Sequence, residues 1–161
     1  MFGWLSRKTE MKPAFVLLFV LLAAVAPCLA ASDDIVGVWY NQPKDAKIEI
    51  FKCGEKYCGK IVWLKEPNYP PGSKDGKPGT PKLDHNNPDP ALRKVPTMGL
   101  QIVQDFRFAG GDLWKNGKVY DPDNGKTYSA KITLVSPNQL NLRGFVGVSM
   151  FGRTETWIRA E

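Results

Sequence analysis

From Ile35 onward, short runs of apolar and β-branched residues alternate with turn residues, and no long stretch keeps a helical period. Ile35–Tyr40 is the first run. Lys47–Lys52 alternates with period two, which puts Ile48 and Ile50 on one face of a strand. Tyr57–Leu64 follows a Cys-Gly turn and pairs with it as a hairpin. Strands resume at Leu100–Phe108, and Ala109-Gly110-Gly111 turns the chain into 112–115. Asn116-Gly117 reads as a further turn, after which Lys118–Tyr120 continues. Asp121–Gly125 turns again. In Thr127–Val135, Tyr128, Ala130, Ile132 and Leu134 share one face. Pro137-Asn138 leads into Gln139–Val146, and Arg153–Arg159 is the last run. The pattern predicts eight strands and no helix longer than two turns.

Residues 65–96 break this rhythm. They hold eight of the 13 prolines, and proline removes the N–H that a central strand must donate. The stretch is a long loop between the third and fourth strands, and loops of this length are often functional. Within it, Asn87-Pro88-Asp89-Pro90-Ala91-Leu92-Arg93 predicts one short helix, with Asn87 as its N-cap and proline in its first turn. Eight antiparallel strands must hide their edges, and a sandwich or a closed barrel are the main solutions. Hairpin after hairpin in sequence order favours the up-and-down barrel. The predicted class is therefore all-β, an eight-stranded antiparallel up-and-down barrel. Its interior is either packed with side chains or holds one small ligand.

The start of the chain belongs to no strand. Residues 14–26 are apolar and uncharged, Arg7, Lys8 and Lys12 precede them, and Cys28-Leu29-Ala30-Ala31 follows. A basic segment, a short apolar core and small residues at a cleavage point form an export signal over 1–30. Met11-Lys12 begins a tighter signal than Met1, so residues 1–10 read as a start-site extension. A lipoprotein signal needs Gly or Ala where Pro27 stands before Cys28, so ordinary export to the periplasm or medium is the better reading. Residues 31–161 then form a single domain. Export implies an oxidising compartment, where Cys53 and Cys58 are the cysteines left to pair. Their spacer is wrong for a Cys-x-x-Cys redox motif, and zinc would need a second ligand pair. A disulfide across the hairpin turn is the expected outcome.

The chain carries +6 at pH 7, and three of its cations and one of its acids lie in residues 1–30. The small excess that remains excludes a strongly basic nucleic-acid binder, and the 13-residue apolar run is short for a membrane-spanning helix. His85, beside Asp84, is the single histidine. An Asp-His pair could serve a general base, but no nucleophile motif accompanies it. Asp121–Gly125 matches part of a calcium loop, yet Ile132 stands where the bidentate acid is required. No metal, cofactor or catalytic residue follows. The polar cluster Asp84, His85, Asn87 and Arg93 either rims a ligand mouth or ties the loop down, with Asn87 capping the helix and Asp84 paired to Arg93. Trp63, Phe106, Trp114, Tyr120, Tyr128 and Phe145 are the candidates for a ligand-lined interior or mouth.

Several motifs together resemble one family. They are Gly37-Val38-Trp39, the Cys58–Trp63 strand, Asp84…Asn87-Pro88, Trp114…Gly117…Tyr120-Asp121-Pro122…Gly125…Tyr128, Leu140…Arg143-Gly144 and Trp157-Ile158-Arg159. This pattern is similar to the bacterial exported family called domain of unknown function 2147, from about Ile35 to Arg159. The resemblance implies a fold like that of the lipocalins and their calycin relatives, which hold small apolar molecules in a barrel. It also implies structural roles for Trp39, Trp157 and Arg159, with the Arg159 guanidinium over the Trp39 ring. Three readings follow. The first is a non-catalytic barrel that binds a small apolar or amphipathic molecule. The second is a filled barrel that docks an envelope protein through loop 65–96, which a contiguous exposed apolar patch around Tyr69, Leu83 and Leu92 would favour. The third is an enzyme built on Asp84 and His85. Oligomeric state is left open.

Overall fold

The computed structural model describes residues 31–161, so the expected export signal, its start-site extension and Cys28 lie outside the described residues. Eight strands follow in order: β1 Gly37–Tyr40, β2 Ala46–Cys53, β3 Lys56–Leu64, β4 Gln101–Phe108, β5 Leu113–Asp121, β6 Lys126–Ser136, β7 Gln139–Phe145 and β8 Gly152–Arg159. Each pairs antiparallel with the next, and β8 pairs back onto β1, so the sheet is a closed up-and-down barrel. Closure leaves no free edge. Two 3-10 turns, Pro90–Leu92 and Ser149–Phe151, are the only helical pieces among the described residues. The Cys53–Cys58 disulfide staples the β2–β3 turn.

Bulges decide which side chains enter the barrel. Ile61 faces Ile48 across β2–β3, but Trp63 faces Lys47, so Val62 is an extra residue in β3. An extra residue reverses the alternation beyond it. In β4, Tyr57 faces Phe106 and Gly59 faces Val103, with Asp105 in a left-handed conformation at φ 62°. Asn116-Gly117 is not the turn its sequence predicts. It is a bulge inside one continuous strand, with Asn116 at φ 61° and Gly117 facing Ala130. The same residues suit both settings because both need a positive φ.

One end of the barrel is packed shut. Ile35, Trp39, Ile50, Phe106, Trp114, Ile132 and Leu140 are wholly buried. Residues 31–36 cross this end and are held by indole donors: Trp39 Nε1–H to the Ile35 carbonyl at 2.9 Å and Trp114 Nε1–H to the Ser32 carbonyl at 3.0 Å. Arg159 lies with its guanidinium 4.1 Å from the centre of the Trp39 ring. It donates to the carbonyls of Asp34, Val36 and Pro137. Such a cation on an indole face contributes about 0.5–2 kcal/mol. Gly37 permits the approach, since a Cβ there would stand 2.6 Å from Arg159 Nη1.

Candidate functional site

The opposite end is open. The β1–β2, β3–β4, β5–β6 and β7–β8 connections surround a solvent-accessible cavity of about 1510 Å³ that runs down into the barrel. Its apolar floor is the top of the core, formed by Ile48, Ile61, Ile102, Leu142 and Trp157, each no more than 7% exposed, with Val119 half-buried beside them. Ile48 and Ile61 face each other across β2–β3, and Val119 faces Tyr128 across β5–β6. The register of β7 and β8 places Arg153 opposite Gly144, Glu155 opposite Leu142 and Trp157 opposite Leu140, all on the inner face. Arg153 and Glu155 line the cavity and form a polar rim above the apolar floor. Glu155 accepts the Trp157 indole N–H at 3.3 Å.

The Pro-rich connection borders this mouth as an ordered flap. It folds around Tyr69, which is buried and whose hydroxyl accepts the Leu83 N–H at 3.0 Å. Isolated bridges join Asn68 to Pro81 and Leu83 to Pro96. Asp84 is wholly buried and fastens the flap to the barrel. Its carboxyl oxygens accept from the Tyr120 hydroxyl and from Asn87 Nδ2, each at 2.6 Å. Burial, followed by the adjoining Asp84, pushes the Tyr120 hydroxyl far above its ordinary range, so it remains a donor at physiological pH. Asn86 donates to the carbonyls of Pro122 and Asp123 in the β5–β6 turn. Gly125 is obligatory there, because a Cβ would stand 1.9 Å from the Asn86 carbonyl oxygen. Burial, with Asp121 and Asp45 nearby, raises the Asp123 carboxyl above the usual carboxylate range.

Several expectations need correction. Asn87 does not cap the short helix. Asp89 does, accepting the Ala91 N–H, while Asn87 joins Asp84. Arg93 is not paired with Asp84; it donates to the Asn87 carbonyl. Asp84 and His85 do not converge. Asp84 points to Tyr120, whereas His85 is exposed, lies 3.3 Å from the Leu83 carbonyl and faces Asp75 across 3.7 Å. The apolar patch that would favour docking through loop 65–96 does not form, because Tyr69 is buried and Leu83 half-buried.

The six aromatic candidates divide. Tyr120, Tyr128 and Phe145 line the cavity. Phe106 and Trp114 are spent in the packed end. Trp63 lies outside the cavity lining, exposed, edge-on to Tyr40 at 6.0 Å and under the Lys47 ammonium at 5.4 Å. The Val62 bulge is the reason, since it reverses the alternation between Ile61 and Trp63. Sequence reasoning missed Arg153 and Glu155 and gave Trp157 only a structural role. The period-two spacing of these three along β8 was the available signal. Among the described residues, no three His, Cys, Asp or Glu side chains gather as a metal site.

Comparison with known proteins adds the following. The family model described as "Uncharacterized protein conserved in bacteria (DUF2147)" matches residues 37–159. No protein of curated function matches the chain. Among solved structures, protein HP1028 from the human pathogen Helicobacter pylori, described as belonging to the lipocalin family, has a TM-score of 0.64 at 24% identity. The match covers 78% of this chain and 82% of that one, and it concerns the fold.

Proposed function

The chain belongs to the bacterial family DUF2147, and from that premise we propose that it is an exported, non-catalytic barrel binding a small apolar or amphipathic molecule. The observation that carries this reading is the division of the barrel. One end is closed by Trp39, Trp114 and Arg159, while the other opens to solvent over an apolar floor with a polar rim. Apolar barrel mouths with a few convergent polar groups are favoured ligand sites. Burial of a ligand against Ile48, Ile61, Ile102, Val119 and Leu142 supplies affinity. Arg153, Glu155 and Tyr128 at the rim favour a molecule with one polar end. Export is supported by the basic and apolar pattern of residues 1–30 and is compatible with the disulfide. The separation of Asp84 from His85 supports binding without catalysis.

Titration with 1-anilinonaphthalene-8-sulfonate, read by energy transfer from tryptophan, tests the site. Saturable binding is the expected result. Gly144→Leu should weaken it by at least about tenfold without lowering the melting temperature. A Cβ at Gly144 meets Tyr128 and Val119 at ordinary contact distance, 3.6 Å, so the backbone there admits a side chain at the mouth. Absence of saturable binding, or unchanged binding by Gly144→Leu, would overturn the proposal.

A further inference from the structure

The β7–β8 connection is the most apolar exposed feature among the described residues. Val146, Val148, Met150 and Phe151 are 72%, 60%, 78% and 78% exposed. A soluble surface rarely gathers large apolar side chains in one short loop without a partner. The loop is held in place from below. Arg143 donates through Nε to the Ser149 carbonyl at 2.7 Å and through Nη2 to the Met150 carbonyl at 3.0 Å. Its Nη1 also donates to Thr154 Oγ1 at 2.9 Å. Those bonds satisfy the loop's inner carbonyls and leave its apolar side chains outermost.

Two further observations identify what covers it. Val146 and Phe151 also line the cavity, so the apolar tip is continuous with the mouth of the barrel. Beneath the tip, the outward residues of β6, β7 and β8 include Lys131 and Arg143 but no Asp or Glu. Lys131 and Arg143 face each other directly across the ladder, and neither has an ion-pair partner among the described residues. Like charges placed opposite each other are unfavourable within a sheet, and an anionic surface relieves them. Of the acids that line the mouth, Asp45, Glu66, Asp75, Asp121 and Asp123 lie on or beside other connections, and Glu155 stands on β8 two residues from Arg153.

We propose that the β7–β8 loop docks the barrel on an anionic lipid bilayer, with Met150 and Phe151 inserted and Lys131 and Arg143 facing the headgroups. An apolar tip flanked by cations is the pattern of an interfacial anchor. This surface does not depend on the ligand-binding proposal, and its test uses no ligand.

The test is flotation of the disulfide-bonded protein with vesicles of about three parts phosphatidylcholine to one of phosphatidylglycerol, against phosphatidylcholine alone. Wild type should float with the anionic vesicles and much less with the neutral ones. The double variant M150D/F151D should bind at least about tenfold more weakly while keeping the wild-type melt. Lys131→Glu, which leaves the tip intact, should lose binding chiefly at low salt. The proposal is overturned if wild type stays unbound, if it floats equally with both compositions, or if M150D/F151D floats like wild type. Concentration-dependent dimerisation abolished by M150D/F151D, without vesicle binding, would assign the loop to a second copy instead.

Discussion

Tyr120 and Asp84 make a buried polar contact that ties the flap to the barrel. Asp84 is wholly buried with two donors, and one of them is the Tyr120 hydroxyl. Tyr120→Phe leaves the carboxyl one donor short in a dry setting, and the expected loss is about 1–3 kcal/mol by urea unfolding. The phenol also makes stability depend on alkaline pH. Its ionisation is raised above the ordinary value of 10.0, chiefly by burial. Near and above that value the unfolded chain releases the proton while the folded chain keeps it. The folded state then binds more protons, so stability falls as pH rises. Stability is fully present below pH 10 and declines above it. Tyr120→Phe should flatten that decline, and Tyr57, also raised by burial, accounts for part of what remains. An unchanged alkaline slope would show that Tyr120 is not the group responsible. The chemistry of this pair was readable in the sequence only as a polar cluster. Asp84 and Tyr120 are 36 positions apart, so their contact depends on how the flap returns to β5.

At the scale of the element, bulges separate what alternation predicts from what the strands do. Gly117 shows the physical reason for one of them. A Cβ at this position would stand 2.2 Å from Phe106 Cδ2, and Phe106 is wholly buried. Gly117→Ala therefore forces the ring to move and should destabilise by about 1–3 kcal/mol in denaturant unfolding. Phe106→Leu should recover part of that loss in the double variant. Additive losses would sink the explanation, because they would place the strain elsewhere. The existence of β5 was legible, but its continuity through Asn116-Gly117 was not. Trp63 followed the same logic. Its alternation with Ile61 is correct for a regular strand, and the Val62 bulge turns it outward. A bulge is a property of the pair of strands, so one strand's sequence does not disclose it.

For the whole molecule, the packed end and the proposed binding mouth occupy opposite ends of one barrel. Leu140 and Leu142 lie two apart on β7 and face inward, opposite Trp157 and Glu155. Leu140 is enclosed by the packed end, whereas Leu142 borders the cavity. Leu140→Ala should cost about 3–5 kcal/mol, because it opens a void among fixed neighbours. Leu142→Ala should cost less, about 2–3 kcal/mol, because one side of this buried side chain borders the open mouth rather than fixed neighbours. The reverse order in urea unfolding would mean that the open end is packed in solution.

The class, the strand count, the meander order, the interruption at 65–96 and the pairing of Cys53 with Cys58 were all legible along the chain. Each of these follows from local chemistry: alternation, turn residues, proline's missing donor and two cysteines on one hairpin. Only the tertiary fold set which end of the barrel is sealed and which opens to solvent, since that depends on the bulges and on residues 31–36 crossing one end. It also decided the fate of the polar cluster, drawing Asp84 to Tyr120 and leaving His85 with Asp75. The apolar tip of the β7–β8 loop belongs to both. Its residues stand in the sequence, but their exposure comes from the Arg143 bonds that hold the loop outward.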